Sequence, residues 1–137
     1  MNTGHFKHLL VSESDGVVSI ALNRPPLNVL NIEMLRELNP ILEAVRNDDS
    51  ARVLTIAGNG KVFSAGVEVA EHLPDRAEQM LRTFGATLEI LGEIERQLVE
   101  LGEQLLKSSP SVPEARGILR AVFTPERAPS AFGEKDA

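Results

Sequence analysis

Apolar and polar positions alternate between two periods along this chain, and the changes of period mark its elements. His8 to Ser12 reads as a first strand, Asp15-Gly16 as a hairpin turn, and Val17 to Leu22 as a second strand that is apolar on both faces and so suited to burial. Asn31 is placed to cap a helix with Glu33 in its first turn. Met34, Leu35, Leu38, Ile41, Leu42 and Val45 then recur at helical spacing on one face. Pro40 falls inside that helix and should kink it or weaken it; Asn47-Asp48-Asp49 ends it. Val53 to Ile56 is a third strand, closed by Gly58-Asn59-Gly60. A small-residue loop, Phe63-Ser64-Ala65-Gly66-Val67, leads from there into a helix-compatible run from Glu68.

His72-Leu73-Pro74-Asp75 breaks that run, and Asp75 is placed to cap the next helix. From Arg76 to Lys107 there is no proline. Leu81, Phe84, Leu88, Leu91, Ile94, Leu98, Leu101 and Leu105 step by three and four, which predicts one long amphipathic helix or two interrupted near Gly92 or Gly102. The near-heptad seam fits a helical partner as well as packing on the chain's own core. Ser108 to Pro113 reads as a linker, Glu114 to Phe123 as a short helix, and 124–137 as a tail too poor in apolar residues to order itself.

Composition narrows the function classes. The chain has 137 residues, enough for one modest core. A net charge of -6 argues against a nucleic-acid partner but leaves phosphate-bearing small molecules open. The lack of cysteine excludes a thiol nucleophile, a disulfide framework and a Cys-based zinc site. No window is apolar enough to span a membrane and the first residues carry no apolar leader core, so the expected compartment is the cytoplasm.

Candidate chemistry is sparse. A glycine-containing loop ahead of a helix can aim backbone N–H groups at an anion or a polarised carbonyl, and equally can be a plain structural turn. Arg24, in the proline-fixed loop Asn23 to Leu30, is either a solvated cation or a phosphate partner. His5 and His8 lack a third ligand at metal spacing, so no metal is expected. Glu71 and His72 are sequence neighbours, which do not face each other on a helix, and make no acid–base pair.

The residues themselves say more. Phe63-Ser64-Ala65-Gly66-Val67-Glu68, beyond an Asn59-Gly60-Lys61 turn from a Val-Leu-Thr-Ile strand, resembles the enoyl-CoA hydratase/isomerase (crotonase) family, whose loop usually reads Phe-(Ser/Ala)-Ala-Gly-x-Asp. Within it the closest likeness is to dienoyl-CoA hydratases such as the cyclohexa-1,5-diene-carbonyl-CoA enzymes. Asn23-Arg24-Pro25-x-x-Asn28-x-Leu30 matches the family's first signature. The resemblance implies an α/β fold built as a crotonase-like ββα spiral. It implies an acyl-CoA thioester as substrate, with no cofactor beyond the coenzyme A the substrate carries, and a homo-oligomer, either a trimer or a dimer of trimers. It also implies that the Val67 N–H is an oxyanion donor to a thioester enolate, that Ser64, Ala65 and Gly66 meet the adenine side of the coenzyme, and that Arg24 and Leu27 line its phosphate and pantetheine. Glu68 stands where the family usually has Asp and is expected to be structural.

The likeness covers about residues 10 to 96. After Arg96 the family's Pro-Val-Ile-Ala-Ala-Val-like strand and its second, glycine-rich loop are missing. Instead Leu98 to Arg120 is similar to a segment found well downstream. The resemblance therefore implies an internally deleted chain joined near Gln97, with a truncated ββα core over 1–75, a helical segment over 76–123 and a tail over 124–137. The second oxyanion donor and the catalytic carboxylates would belong to the absent block. Three readings are open: an enzyme acting on acyl-CoA thioesters, an inactive remnant that still binds them, and a helix-mediated interaction protein.

Overall fold

A computed structural model describes residues 5–108 of the chain. Strand β1, Leu9–Ser14, and strand β2, Val17–Leu22, pair antiparallel from Leu9 opposite Leu22 to Ser14 opposite Val17. Asp15 (φ 51°) and Gly16 (φ 79°) are both left-handed, as a two-residue hairpin that follows strand twist requires. Because the turn is this tight, pairing runs to Ser14, two residues beyond the expected strand end. Strand β3, Val53–Gly58, lies parallel to β2 on its other edge, so the sheet order is β1-β2-β3. A central position accounts for β2 being apolar on both faces.

Register sorts the side chains. Leu9, Val11, Val18, Ile20, Leu22, Leu54 and Ile56 share the core face, whereas Ser12, Ser19, Ala21, Thr55 and Ala57 share the other. Helix α1, Ile32–Arg46, covers the core face with Met34, Leu35, Leu38, Ile41, Leu42 and Val45, all buried as the periodicity predicts. Asn31 caps it by accepting from the Met34 N–H at 2.9 Å, and the Glu71 carboxylate accepts from Ile32 N–H at 2.7 Å. The helix is continuous through Pro40, which removes one internal hydrogen bond. Its outer face holds the entering chain: Glu37 accepts from the backbone N–H groups of Lys7 and His8 at 3.0 and 2.9 Å.

Two expectations are corrected on the far side of the loop. The run after Glu68 forms only a four-residue 3-10 turn, Val69–His72, because the extended backbone into Leu73-Pro74 stops it. Asp75 does not cap the next helix. Instead the Leu73 carbonyl accepts from the N–H groups of Arg76 and Ala77 at 2.9 and 2.8 Å. Helix α2, Ala77–Ser108, is one unbroken helix, with no interruption at Gly92 or Gly102.

The face that α2 buries keeps Phe84, Leu91, Ile94 and Leu98 of the predicted seam but not Leu81 and Leu88. Met80, Thr87, Ile90 and Ile94 are buried, with Phe84, Leu91 and Leu98 half-buried beside them, while Leu81 and Leu88 are 62% and 55% exposed. Thr87 tolerates burial because its hydroxyl lies 2.6 Å from Asn39 Oδ1 on α1 and 3.0 Å from the Thr83 carbonyl. Met1–Leu98 makes up one compact unit, and from Val99 the chain belongs to a second, of which the described part is the end of α2. The expected helix over 114–123, the tail, the linker from 109 and the Leu105 side chain lie outside the described residues.

Candidate functional site

Two loops leave the same end of the sheet, one after β2 and one after β3, and the sequence laces them together. β3 ends at Gly58, where an added Cβ would fall 2.6 Å from Phe63 Cα, so only glycine admits the returning chain. Asn28 fastens the other side. It is fully buried, sits at φ 49°, and donates from Nδ2 to the carbonyls of Asn59 and Val62 at 3.1 and 2.8 Å. Its Oδ1 accepts from the Arg24 N–H at 2.9 Å. Asn59 adds a bond from its Nδ2 to Asn23 Oδ1 at 2.9 Å.

With the turns locked, the loops run alongside each other. The Ala65 N–H donates to the Leu27 carbonyl at 2.9 Å, Leu30 N–H to the Gly66 carbonyl at 2.8 Å, and Glu68 N–H to the Leu30 carbonyl at 2.8 Å. The last two make a parallel bridge of Leu30 with Val67. A trans peptide points its C=O and N–H in opposite directions. The Gly66 carbonyl and the Val67 N–H share one peptide unit, so the bond from Leu30 turns the Val67 N–H away from Leu30. Among the described residues this N–H has no acceptor. Gly66 reaches the required backbone at φ 116°, a value L side chains rarely adopt. Its own N–H is occupied by Ser64 Oγ at 3.1 Å, so of the two successive amides only that of Val67 is free to bind.

All six sequence-predicted positions therefore lie on these loops. Leu27 touches Ala65 through the backbone, and Ser64 closes on Gly66. Leu27 exposes 48% of its surface and Phe63 58%, leaving apolar surface on both loops. Arg24 is half-buried, and its guanidinium is engaged: Nη1 and Nη2 both reach Glu68 Oε2 at 3.2 Å, and Nη1 donates to the Val29 carbonyl at 3.0 Å.

Sequence reasoning missed three contributors: Asn28 as the internal tie, Glu68 as the partner of Arg24, and Glu71 as the acceptor at the start of α1. Only Asn28 carried a signal, being a residue type that tolerates positive φ just after two prolines. His72 Nδ1 lies 3.0 Å from the Glu68 carbonyl, four residues back, and does not pair with Glu71.

Strong electrostatic perturbation lies elsewhere. Hydrogen bonds first from Lys7 and then from His8 hold the Glu33 carboxyl down at about 2, where the entering chain meets α1. No cluster of His, Asp and Glu among the described residues could hold a metal ion, and none of the described helices is long and apolar enough to cross a membrane. What the loops offer is one aimed backbone donor and apolar surface on both loops, an arrangement suited to a carbonyl oxygen that gains charge.

Known proteins resemble the chain in sequence and in fold. The sequence profile of the enoyl-CoA hydratase/isomerase family matches residues 12–94. The chain is 31% identical over 111 residues to the cyclohexa-1,5-dienecarbonyl-CoA hydratase of Thauera aromatica, covering 80% of this chain and 43% of that protein. It is 30% identical over 118 residues to the hydroxycinnamoyl-CoA hydratase-lyase of Pseudomonas fluorescens, covering 83% and 40%. Among solved structures, DspI of Pseudomonas aeruginosa superposes with a TM-score of 0.58 at 31% identity, covering 62% of this chain and 34% of that one. The chain thus spans less than half the length of the curated relatives it matches.

Proposed function

The chain belongs to the enoyl-CoA hydratase/isomerase family, and from that premise we propose that it acts on an acyl-CoA thioester whose carbonyl oxygen accepts a hydrogen bond from the Val67 N–H. One observation carries the reading: this amide, fixed by the Leu30 bridge behind it, has no acceptor among the described residues. As the thioester becomes an enolate, charge grows on that oxygen, and a donor already aimed there stabilises the charged form more than the ground state. One such donor contributes about 10²–10³ in rate. Leu27, Ser64, Ala65 and Gly66 form the surface over which the coenzyme's pantetheine and adenine would lie, and the Phe63 and Leu27 side chains supply apolar contact.

The two nearby carboxylates have structural partners, Glu68 with Arg24 and Glu71 with the Ile32 N–H, so neither serves as the base in this reading. Proton transfer and a second donor come from groups outside the two loops. An inactive remnant is the weaker alternative, because the donor loop is held by the Leu30 bridge and by the Asn28 bonds at its base. Assembly into a trimer or a dimer of trimers belongs to the same reading and is supported by the exposed Leu81 and Leu88 on α2.

Calorimetric titration with crotonyl-CoA, at a protein concentration of known oligomeric state, tests the proposal. Saturable binding, weaker for coenzyme A without its acyl group, is expected. No binding by a chain whose circular dichroism is that of a folded protein would contradict it.

A further inference from the structure

The hydrogen bonds behind Val67 do not stop at Leu30. The Leu30 N–H shares its peptide unit with the Val29 carbonyl, and that carbonyl accepts from Arg24 Nη1 at 3.0 Å. The order is continuous: guanidinium to Val29 C=O, Leu30 N–H to Gly66 C=O at 2.8 Å, and then the outward Val67 N–H. Two trans peptides thus lie head to tail between a cation and a free amide. Each acceptor bond draws electron density toward its oxygen and makes the N–H of the same peptide a better donor, an effect that accumulates along a chain of bonds.

We propose that Arg24 is a positioning residue whose charge is relayed through the Val29–Leu30 and Gly66–Val67 peptides to strengthen and aim the Val67 N–H. The inference rests on the reading of that amide as the carbonyl donor. Glu68 keeps the relay assembled. It anchors the guanidinium through both terminal nitrogens, so Nη1 stays on Val29, and its own N–H closes the bridge on the Leu30 carbonyl. Arg24 and Glu68 are each 32% exposed, so water screens the pair only in part; the carboxylate offsets some of the cation's charge, while Nη1 keeps its bond to Val29. A guanidinium suits the task because it can donate to a carboxylate and a carbonyl at once in one plane. In this role Arg24 polarises the site from behind rather than meeting a phosphate in front.

The test needs no ligand. In the isotope-labelled full chain, through-hydrogen-bond NMR couplings report Arg24 Nη to Val29 C′ and Leu30 N to Gly66 C′ directly, and both should be present. In Arg24→Gln, which keeps a donor but loses the charge, the Leu30–Gly66 coupling should fall by about 10–30%, the increment expected of one cooperative bond. The Val67 amide proton should move upfield with it, and Arg24→Lys should restore most of both. A structural tie alone would not make the Val67 proton follow the charge. An unchanged coupling and shift in folded Arg24→Gln would overturn the proposal. Should that variant not fold, absence of the Arg24–Val29 coupling in the unsubstituted chain would overturn it, and its presence together with a Leu30–Gly66 coupling and Val67 shift in Arg24→Lys close to those of the unsubstituted chain would uphold it. A chain that binds no crotonyl-CoA would refute the thioester reading, while these couplings would still decide the relay.

Discussion

Asn28 holds a left-handed backbone position, no solvent exposure, and three hydrogen bonds, two that join the loop after β2 to the turn after β3 and one within its own loop. Replacing it with alanine leaves two carbonyls and one N–H without partners in a closed space and places an ordinary L residue at positive φ. Each unsatisfied group costs about 1–3 kcal/mol, partly relieved by water, so Asn28→Ala should lower stability by about 2–4 kcal/mol. The shift should appear as a lower urea midpoint at unchanged m-value. A change under about 1 kcal/mol would mean the loops are held together some other way. The donor loop was legible at this scale, because Phe63-Ser64-Ala65-Gly66-Val67 is a local motif and Gly66 does locally what its residue type suggests. The cross-loop bonds of Asn28 and the pairing of Arg24 with Glu68 were not legible, since those partners lie 31, 34 and 44 residues away and no periodicity links them.

At the scale of elements, α1 followed its pattern and α2 departed from its own. Leucines seven apart, Leu81 and Leu88, drew the predicted seam. The buried line keeps Phe84, Leu91, Ile94 and Leu98 of that seam but passes through Met80 and Thr87 in place of Leu81 and Leu88. A threonine in the middle hid that line from a reading based on apolarity, and Thr87 is tolerated there only because Asn39 and the Thr83 carbonyl, known from the fold, receive its hydroxyl. The corrected face predicts a contrast between neighbours. Met80→Ala and Ile94→Ala should each cost about 2–5 kcal/mol, whereas Leu81→Ala and Leu88→Ala should stay within about 0.5 kcal/mol, all measured by chemical denaturation at a concentration where the chain is monomeric. A cost for Leu88→Ala as large as that for Ile94→Ala would put Leu88 back on the buried seam.

Over the whole molecule, the succession of elements along the chain, the ββα start and the family were readable from sequence, because each rests on short-range patterning: a tight Asp-Gly turn, an apolar second strand, a glycine loop. Pairing of β3 parallel to β2, and the parallel bridge between the two loops beyond their ends, required the fold, and they are what convert a glycine motif into an aimed donor. The central claim is that the Val67 N–H polarises a thioester carbonyl. Infrared difference spectroscopy of crotonyl-CoA labelled with carbon-13 at its carbonyl, bound to the full chain, measures that polarisation on the bond itself. The expected result is a stretch at lower frequency than in water, with the shift reduced in Arg24→Gln. A bound thioester whose carbonyl stretch matches or exceeds its frequency in water would contradict the claim.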